Sequence, residues 1–156
     1  MKKIFALLFL FLLTIIQAQE KTSLNKGEIT IPIGKKLLLK PEFKGNKIIN
    51  FEIIKEENLT EKIDLFDNLE NFKKDNIKDN SIELTFSEAQ MMTSSVYALL
   101  TIQKTGKKMI FKAKIRLKGD NQYQSTSILP SASNSSHVEQ WQDNIDSIIL
   151  SDFELN

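Results

Sequence analysis

A period of two between apolar and polar residues runs through the chain from Glu28 onward, and it constrains the fold more than any other feature. Successive side chains of a β-strand point to opposite faces of a sheet, so this period is typical of strands with one buried face. The segment 81–87 alternates without a fault. We expect Ile82, Leu84 and Phe86 to face a core, and the odd-numbered positions of the segment to face water.

The same alternation, together with turn residues, predicts eight strands. Their expected ranges are 28–33, 36–40, 48–55, 81–87, 96–104, 108–118, 123–129 and 147–155. Thr105-Gly106 separates two of them and predicts a β-hairpin, because glycine supplies the positive φ of a tight turn. Pro32 lacks the amide hydrogen that a sheet ladder uses, which favours an edge position for the first strand.

Helical signals are scarce. Between Asn58 and Phe72 the apolar residues recur at three- and four-residue steps, which fits a short amphipathic helix. The aspartates and asparagines of this segment suit a structured loop equally well, so helix and loop both remain open. The predicted fold is all-β: a two-sheet antiparallel sandwich of immunoglobulin-like architecture, with about eight strands and at most one short helix.

The N-terminal residues 1–18 are predicted to be a secretory signal peptide. Two lysines precede an apolar run from Ile4 to Ile16, and the small residue Ala18 precedes the expected cleavage site. A helix of this length spans about 20 Å, which is shorter than the bilayer's hydrocarbon core of about 30 Å. We therefore expect cleavage rather than a permanent anchor.

Cleavage would leave a flexible segment, 19–27, ahead of a single sandwich domain, 28–156. No later segment is apolar for long enough to predict a membrane-spanning helix. The mature protein is expected to be exported and soluble, either periplasmic or secreted, with no integral membrane span.

The absence of cysteine closes several routes to stability and chemistry. Without a thiol the chain cannot form disulfides, iron–sulfur sites, a thiol nucleophile or a lipid anchor on an N-terminal cysteine. A single histidine, His137, cannot build the usual transition-metal sites, which need several nitrogen or sulfur ligands. The five glycines stand singly, so no glycine-rich phosphate loop is present in the sequence. No cofactor is predicted.

The charge balance argues against a nucleic-acid partner. The chain has 21 basic and 20 acidic residues, and removal of Lys2 and Lys3 with the signal peptide would leave 19 basic residues against 20 acidic ones. Arginine occurs once, and no aromatic residues that could stack on bases interleave with the lysines. We predict no nucleic-acid binding.

Four basic residues alternate with apolar residues along one predicted strand: Lys112, Lys114, Arg116 and Lys118. On one face of a strand they would lie about 6.6 Å apart and form a basic stripe. Such a stripe could contact phosphate or the acidic polysaccharide of an envelope. The alternative is that these residues keep an outer sheet face solvated and discourage edge-to-edge pairing.

Trp141 and Tyr123 are the aromatic candidates for recognition. A tryptophan exposed in a loop could stack on a sugar ring. The alternative is that the Trp141 ring is buried at one end of the sandwich, with its indole N–H satisfied.

His137 follows a serine-rich segment and precedes two acidic residues, Glu139 and Asp143, so a serine–histidine–acid triad with Ser135 or Ser136 is formally possible. No serine is flanked by glycines as in a nucleophile elbow, and the histidine is expected to be a solvated loop residue. We predict no catalytic residues, no metal site and no enzymatic activity.

The sequence therefore favours an exported, non-catalytic binding or interaction module whose partner is an envelope or extracellular protein or glycan. One alternative is a small carboxylate-dependent hydrolase of the cell envelope, which would require a deep acidic cleft. The other is a structural subunit of an envelope assembly, which would show a large exposed apolar patch or a long unpaired edge strand.

Overall fold

The structure is a computed structural model that describes residues 20–65, 67, 79–91 and 94–156. The predicted signal peptide, 1–18, lies outside these ranges. Within the segment that was open between helix and loop, Ile63–Asp64 form a short strand, Leu65 and Asp67 have helical backbone conformation, and the later residues are outside the described ranges.

Eleven β-strands make up the described chain. They are β1 (Ser23–Asn25), β2 (Glu28–Pro32), β3 (Lys35–Lys44), β4 (Lys47–Asn58), β5 (Ile63–Asp64), β6 (Ile82–Met91), β7 (Ser94–Gln103), β8 (Met109–Leu117), β9 (Tyr123–Thr126), β10 (Ser135–Trp141) and β11 (Ile145–Leu155). All eight predicted strands are present, with shifted ends, and β1, β5 and β10 are additional. The all-β fold is confirmed, whereas the strand number is eleven rather than about eight.

The strands form two layers, in agreement with a sandwich. All eleven strands are hydrogen-bonded into one continuous sheet, which divides at the short β4–β11 contact into two parts. We call the part with the order β1-β2-β11-β8-β9 sheet 1 and the part with the order β4-β3-β6-β7-β10 sheet 2, in which β5 pairs with β6. Neighbouring strands are antiparallel except for β5, which forms a two-residue parallel pair with β6. The two sheets are joined at one corner, where Lys47 of β4 pairs with Glu154 of β11.

The main core lies between the sheets and is built from large aliphatic and aromatic side chains of both. The predicted inward residues Ile82, Leu84 and Phe86 are all fully buried there. Phe153 of β11 packs edge-to-face on Phe51 of β4, with 5.0 Å between ring centroids, and stacks on Phe111 of β8 at 5.1 Å. These three rings join the two sheets near the corner.

The predicted hairpin across Thr105-Gly106 is wrong, because β7 pairs with β6 and β10, whereas β8 pairs with β11 and β9. Gln103, fully buried at the end of β7, redirects the chain. Its Nε2 donates to the carbonyl oxygens of Lys107 (2.8 Å) and Ala132, and its Oε1 accepts from the Thr105 hydroxyl (2.6 Å). The chain therefore crosses from sheet 2 to sheet 1 between these strands.

The outer face of β6 and β7 is also buried, contrary to the expected water-facing side of 81–87. Thr85 and Ser87 are buried on this face, and Ala89, Val96 and Ala98 form a second hydrophobic cluster with Ile63 and Leu65. The segment after β4 lies over this face, so both sides of the two strands are shielded. Alternation of polar and apolar residues cannot detect a covering segment that is remote in sequence.

β4 carries two β-bulges, and each one inserts an isoleucine. The register with β3 skips one residue at Ile49 and another at Ile54. These two side chains are 46% and 52% exposed. Bulges interrupt the hydrogen-bond ladder and are common at sheet edges and beside functional sites.

The segment 19–27, expected to be flexible, contains strand β1, which pairs with β2. The tight turn between them places Lys26 and Gly27 at φ values of 47° and 79°. A Cβ at Gly27 would lie only 3.1 Å from the carbonyl oxygen of Ile48 in β4, so glycine permits the turn to approach the neighbouring sheet closely.

Candidate functional site

One candidate site is an open groove at the corner where the two sheets join. We call it the corner groove, and its volume is about 910 Å³. Its lining consists of Asn25, Lys26, Gly27, Glu28, Lys47, Ile48, Ile49, Ile110, Phe111, Lys112, Ser151, Asp152, Phe153 and Glu154. The β1–β2 turn, the start of β4, the start of β8 and the end of β11 thus contribute to one concave surface.

A bulge in β11 shapes one wall of the groove. The pairing of β11 with β8 shifts register between Ser151 and Glu154. Asp152, within the bulge, has a φ of 53°, which lies in the left-handed region that aspartate tolerates better than most residues. Its carboxylate meets the Lys112 ammonium at 3.0 Å. The bulge therefore places an ion pair at the rim.

A second ion pair in the lining joins Lys47 and Glu154, with 3.3 Å between the charged atoms. Phe111 and Phe153 of the main core also line the groove, although their side chains are only 8% and 1% exposed. Ile49, the exposed residue of the first β4 bulge, lines it as well. We call these three residues the apolar floor of the groove, and the two ion pairs accompany them.

The charges that line the corner groove are balanced. Three lysines line the cavity, Lys26, Lys47 and Lys112, and three carboxylates line it with them, Glu28, Asp152 and Glu154. This arrangement complements a ligand that carries both signs of charge better than a simple anion, because a net positive potential is what attracts an anion.

The structure distributes the predicted basic stripe over three different environments. Lys112 and Lys114 are exposed on one face of β8, Arg116 is half-buried on the same face, and Lys118 lies beyond the end of the strand. Lys112 is paired with Asp152. Lys114 and Lys118 make no ion pair with the described part of the chain. The four residues therefore do not act as one row of unpaired cations.

Arg116 is the member of the stripe whose charge is paired most completely, because two carboxylates contact it. Its Nε donates to Asp146 at 2.7 Å, and its other guanidinium nitrogen meets Glu20 at 2.9 Å. The hydrogen bond to Asp146 raises the pKa of Arg116 above its usual value against the opposing effect of partial burial, and Glu20 adds to the increase. The guanidinium carbon also lies 5.4 Å from the centre of the Tyr123 ring. Arg116 thus holds β8, β9, β11 and the N-terminal segment together.

Neither aromatic candidate is an exposed platform. Tyr123 is half-buried, and its hydroxyl shares a 2.7 Å hydrogen bond with the Ser147 hydroxyl. Trp141 lies at the end of β10 rather than in a loop, packs against the main core, and donates its indole N–H to the Thr126 hydroxyl at 3.0 Å. These contacts match the alternative in which the tryptophan closes one end of the sandwich.

His137 lies in β10 and is not the solvated loop residue that we expected. Its Nε2 is 2.7 Å from Glu139 Oε1, and both side chains are mostly buried. The Ser135 hydroxyl donates to the carbonyl oxygen of Ala132 and not to the imidazole. The acid that contacts the histidine is next to it on the same strand face, and no serine hydroxyl contact with the imidazole is present in the described chain.

Sequence reasoning did not find the corner groove, although one signal was available. The apolar positions near the C-terminus fall on even numbers at Ile148 and Leu150 and on odd numbers at Phe153 and Leu155. This change of parity indicates one extra residue in the strand, and a bulge has that effect. The bulge around Asp152 could have been inferred from it, but not its place in the groove.

Within the described ranges, no group of three or more histidine, aspartate or glutamate side chains is placed to hold a metal ion. The helices found in those ranges include none with the length and apolar character of a membrane span.

Comparison of the chain with protein-family models, with curated proteins and with solved structures gives no match.

Proposed function

We propose that this protein is an exported, soluble, non-catalytic binding module, and that the corner groove is its binding site. The partner is an envelope or extracellular protein segment or glycan that carries both signs of charge. The observation that supports this proposal most directly is the β11 bulge, which opens the ladder and sets the Lys112–Asp152 pair beside an apolar floor. Apolar pockets with a few placed polar groups are the usual form of a binding site.

The charge arrangement favours binding over hydrolysis. A carboxylate-dependent hydrolase needs one acid and one base that face a substrate across a cleft. In the corner groove, Asp152 and Glu154 are each paired with a lysine at 3.0 and 3.3 Å. Neither carboxylate is therefore left unpaired to face a substrate across the groove.

The basic stripe contributes less to this function than its sequence pattern indicates. Two of its four members, Lys112 and Arg116, are already paired with acids of the same chain. An exposed cation that has a nearby anion attracts an external phosphate weakly at physiological ionic strength. We therefore place the binding site in the groove rather than along the strand.

Site-specific photo-crosslinking tests the location of the site. β4 offers a matched pair of positions, because Ile49 and Ile54 are both exposed bulge residues of one strand and only Ile49 lines the groove. A photoreactive residue at position 49 is expected to capture partners from the envelope and secreted fractions, whereas the same residue at 54 captures none. Equal capture at both positions, or none at 49, would contradict the groove assignment.

A charge exchange tests the role of the ion pair. K112E alone places two carboxylates at the rim and is expected to abolish capture from position 49. The double variant K112E/D152K restores an ion pair with exchanged partners and is expected to recover most of the capture. If K112E captures as well as the wild type does, the ion pair has no part in binding.

A cation-exchange experiment tests whether the basic stripe binds anions. The variant K112Q/K114Q/K118Q removes three lysines at exposed positions, so its melting temperature is expected to stay close to that of the wild type. On a phosphate or sulfated-glycan resin at low salt, we expect both proteins to elute at similar salt concentrations. Strong retention of the wild type alone would favour an anionic ligand bound along the stripe.

A structural subunit of an envelope assembly is the second candidate function. The observation that favours it is β10, a long edge strand with one open side.

A further inference from the structure

β10 is the least protected sheet edge in the described part of the chain. Exposed strand edges pair with other chains unless they are short, bulged, charged or covered. β1 and β9 are edge strands of three and four residues. β4 has twelve residues, but two bulges interrupt it and charged residues are frequent along it. Each of these edges carries a recognised form of protection.

β10 lacks these protective features. Its seven residues pair with β7 in an unbroken register, from Ser135 opposite Gln103 to Trp141 opposite Tyr97. The second side of β10 has no hydrogen-bonded strand within the described ranges. The strand contains no lysine, arginine, proline or glycine, and its one carboxylate, Glu139, is mostly buried. A flat and nearly uncharged row of backbone groups is therefore open.

An exposed apolar side chain lies beside this open edge. Leu129 is 65% exposed, the highest value among the exposed large hydrophobic residues of the described chain. Its backbone N–H donates to Glu139 Oε1 at 2.6 Å, which fixes it next to β10. Ile128 packs partly against the main core on the same segment. Leu129 therefore adds apolar area to the surface beside the open edge of β10.

We propose that a second copy of this chain pairs with β10, strand to strand and antiparallel, about a two-fold axis through Val138. Val138 is the midpoint of the strand, so this register uses every residue from Ser135 to Trp141. Isologous pairing of this kind is the commonest form of a protein dimer. It would extend sheet 2 of each copy into one continuous sheet of ten strands. The proposal does not depend on the corner groove.

The sequence of β10 is self-complementary about this axis. Each His137 lies opposite Glu139 of the partner subunit, so a base faces an acid at both equivalent positions. Each Ser136 lies opposite Gln140 of the partner subunit, which pairs a hydroxyl with an amide. An axis through Glu139 would instead place the two carboxylates opposite each other, and an axis through His137 would do the same with the imidazoles. Opposite charges across a pair of strands stabilise it, and like charges destabilise it.

Two double variants test the dimer and its register. Ser136 and Gln140 suit substitution because each lies opposite the other across the axis and neither side chain is buried. S136K/Q140K places two lysines opposite each other at both equivalent positions. S136K/Q140E places a lysine opposite a glutamate at the same positions. The two variants share one substitution and differ only in the sign of the charge at 140.

Analytical ultracentrifugation of the mature chain over a range of concentrations gives the dimer dissociation constant. We expect a wild-type dimer, a Kd at least about tenfold higher for S136K/Q140K, and a Kd for S136K/Q140E equal to or below that of the wild type. Equal melting temperatures at dilutions where all variants are monomeric would show that the monomer fold is unchanged. A wild-type monomer at every concentration, or equal Kd values for the two variants, would overturn the proposal.

Hydrogen exchange locates the interface. Alternate backbone amides of 135–141 point away from β7, and these are expected to exchange more slowly as the protein concentration rises through Kd. The outer edge of β9 is the control and should show no dependence on concentration. Slowing at β9 or β4 instead of β10 would contradict the assigned edge.

Discussion

The two faces of the β6–β7 pair are both buried, yet they are built differently. The inner face carries Phe86 and Leu99, opposite each other in the main core between the sheets. The outer face carries Ala89, Val96 and Ala98, which pack against the segment that follows β4. The inner face packs large side chains from two sheets, whereas the outer cluster packs two alanines and a valine of these strands under a single covering segment.

This difference shows which part of the structure carries the free energy of unfolding. Burial stabilises in proportion to the apolar area that is removed from water, so large inner side chains contribute more than alanine and valine. Within the described ranges, β5 adds a parallel pair of only two residues on this side of β6. We expect the inner face to determine global stability, and the outer face to open first.

Truncation of aromatic residues should give the largest effect and tests the comparison directly. F86A or F153A leaves a cavity in the main core and is expected to lower the free energy of unfolding by about 3–5 kcal/mol. V96A removes two methyl groups from the outer cluster and should cost about 2 kcal/mol or less. Urea denaturation of the three variants measures the cost of truncation in the main core and in the outer cluster. A cost at Val96 equal to that at Phe153 would refute the ranking of the two faces.

Substitution of Gln103 tests how much the stability of the inner face depends on the hydrogen bonds of one buried amide. Q103M is expected to lower the free energy of unfolding by about 2–3 kcal/mol, because it leaves the carbonyl oxygens of Lys107 and Ala132 without their donor. Q124M, the same change at an exposed position of β9, should alter stability by less than about 0.5 kcal/mol. Equal effects in thermal denaturation would show that the Gln103 bonds do not hold the crossing between the sheets.

Two buried threonines, one on each face of the β6–β7 pair, allow substitutions that should raise the free energy of unfolding instead of lowering it. Thr101 lies on the inner face opposite Leu84, and Thr85 lies on the outer face opposite Leu100. Neither hydroxyl oxygen has a hydrogen-bond partner in the described chain. Valine has the same shape without the hydroxyl, so T101V and T85V should each stabilise by about 1 kcal/mol. Destabilisation by T85V alone would indicate that the outer face is hydrated.

The smallest expected change in the free energy of unfolding comes from an ion pair at one end of the inner face. Lys35, buried opposite Phe86, meets Glu56 at 2.8 Å and also donates to Asn58 Oδ1 at 2.6 Å. Partial burial opposes ionisation of Glu56, but hydrogen bonds from Lys35 and Thr22 outweigh it, so the pKa of Glu56 lies below its usual value. The stabilisation by the Lys35–Glu56 ion pair is therefore present above about pH 4.5. It is lost as the pH falls through the lowered pKa of Glu56.

Comparison of the wild type with K35M by urea denaturation at several pH values tests this linkage. The difference in unfolding free energy should be largest near neutral pH and should decrease below about pH 4.5. A difference that does not change with pH would show that Lys35 acts through packing alone.

The sequence predicts the strands well and their partners poorly. Alternation in 81–87 and 108–118 identifies β6 and β8 because one face of each strand is mostly apolar and the other mostly polar. The predicted hairpin is wrong because the sequence does not show that Gln103 is buried and redirects the chain. Only the fold shows that its amide contacts the carbonyl oxygens of Lys107 and Ala132. β10 escaped detection because its serines and Trp141 resemble a loop.

The site was predictable only in part for the same reason. Lys112 was chosen for its position in the stripe, but its partner Asp152 belongs to a different strand and depends on the β11 bulge. In β4 and in β11, the apolar positions change from even to odd numbers, and this change indicates a bulge in each strand. These changes do not indicate that both bulges line one groove, because that depends on the packing of the two sheets.

The position of β11 has a consequence for how the chain reaches this structure. β11 is the last strand, yet it is central in sheet 1, where Ile148 pairs with Ile31 from near the start of the domain. Phe153 then completes the ring cluster of the main core. Loop closure between such distant segments is slow. The core of this domain therefore cannot close until the chain as far as Leu155 is free to pair, so its folding depends on contacts between residues far apart in sequence.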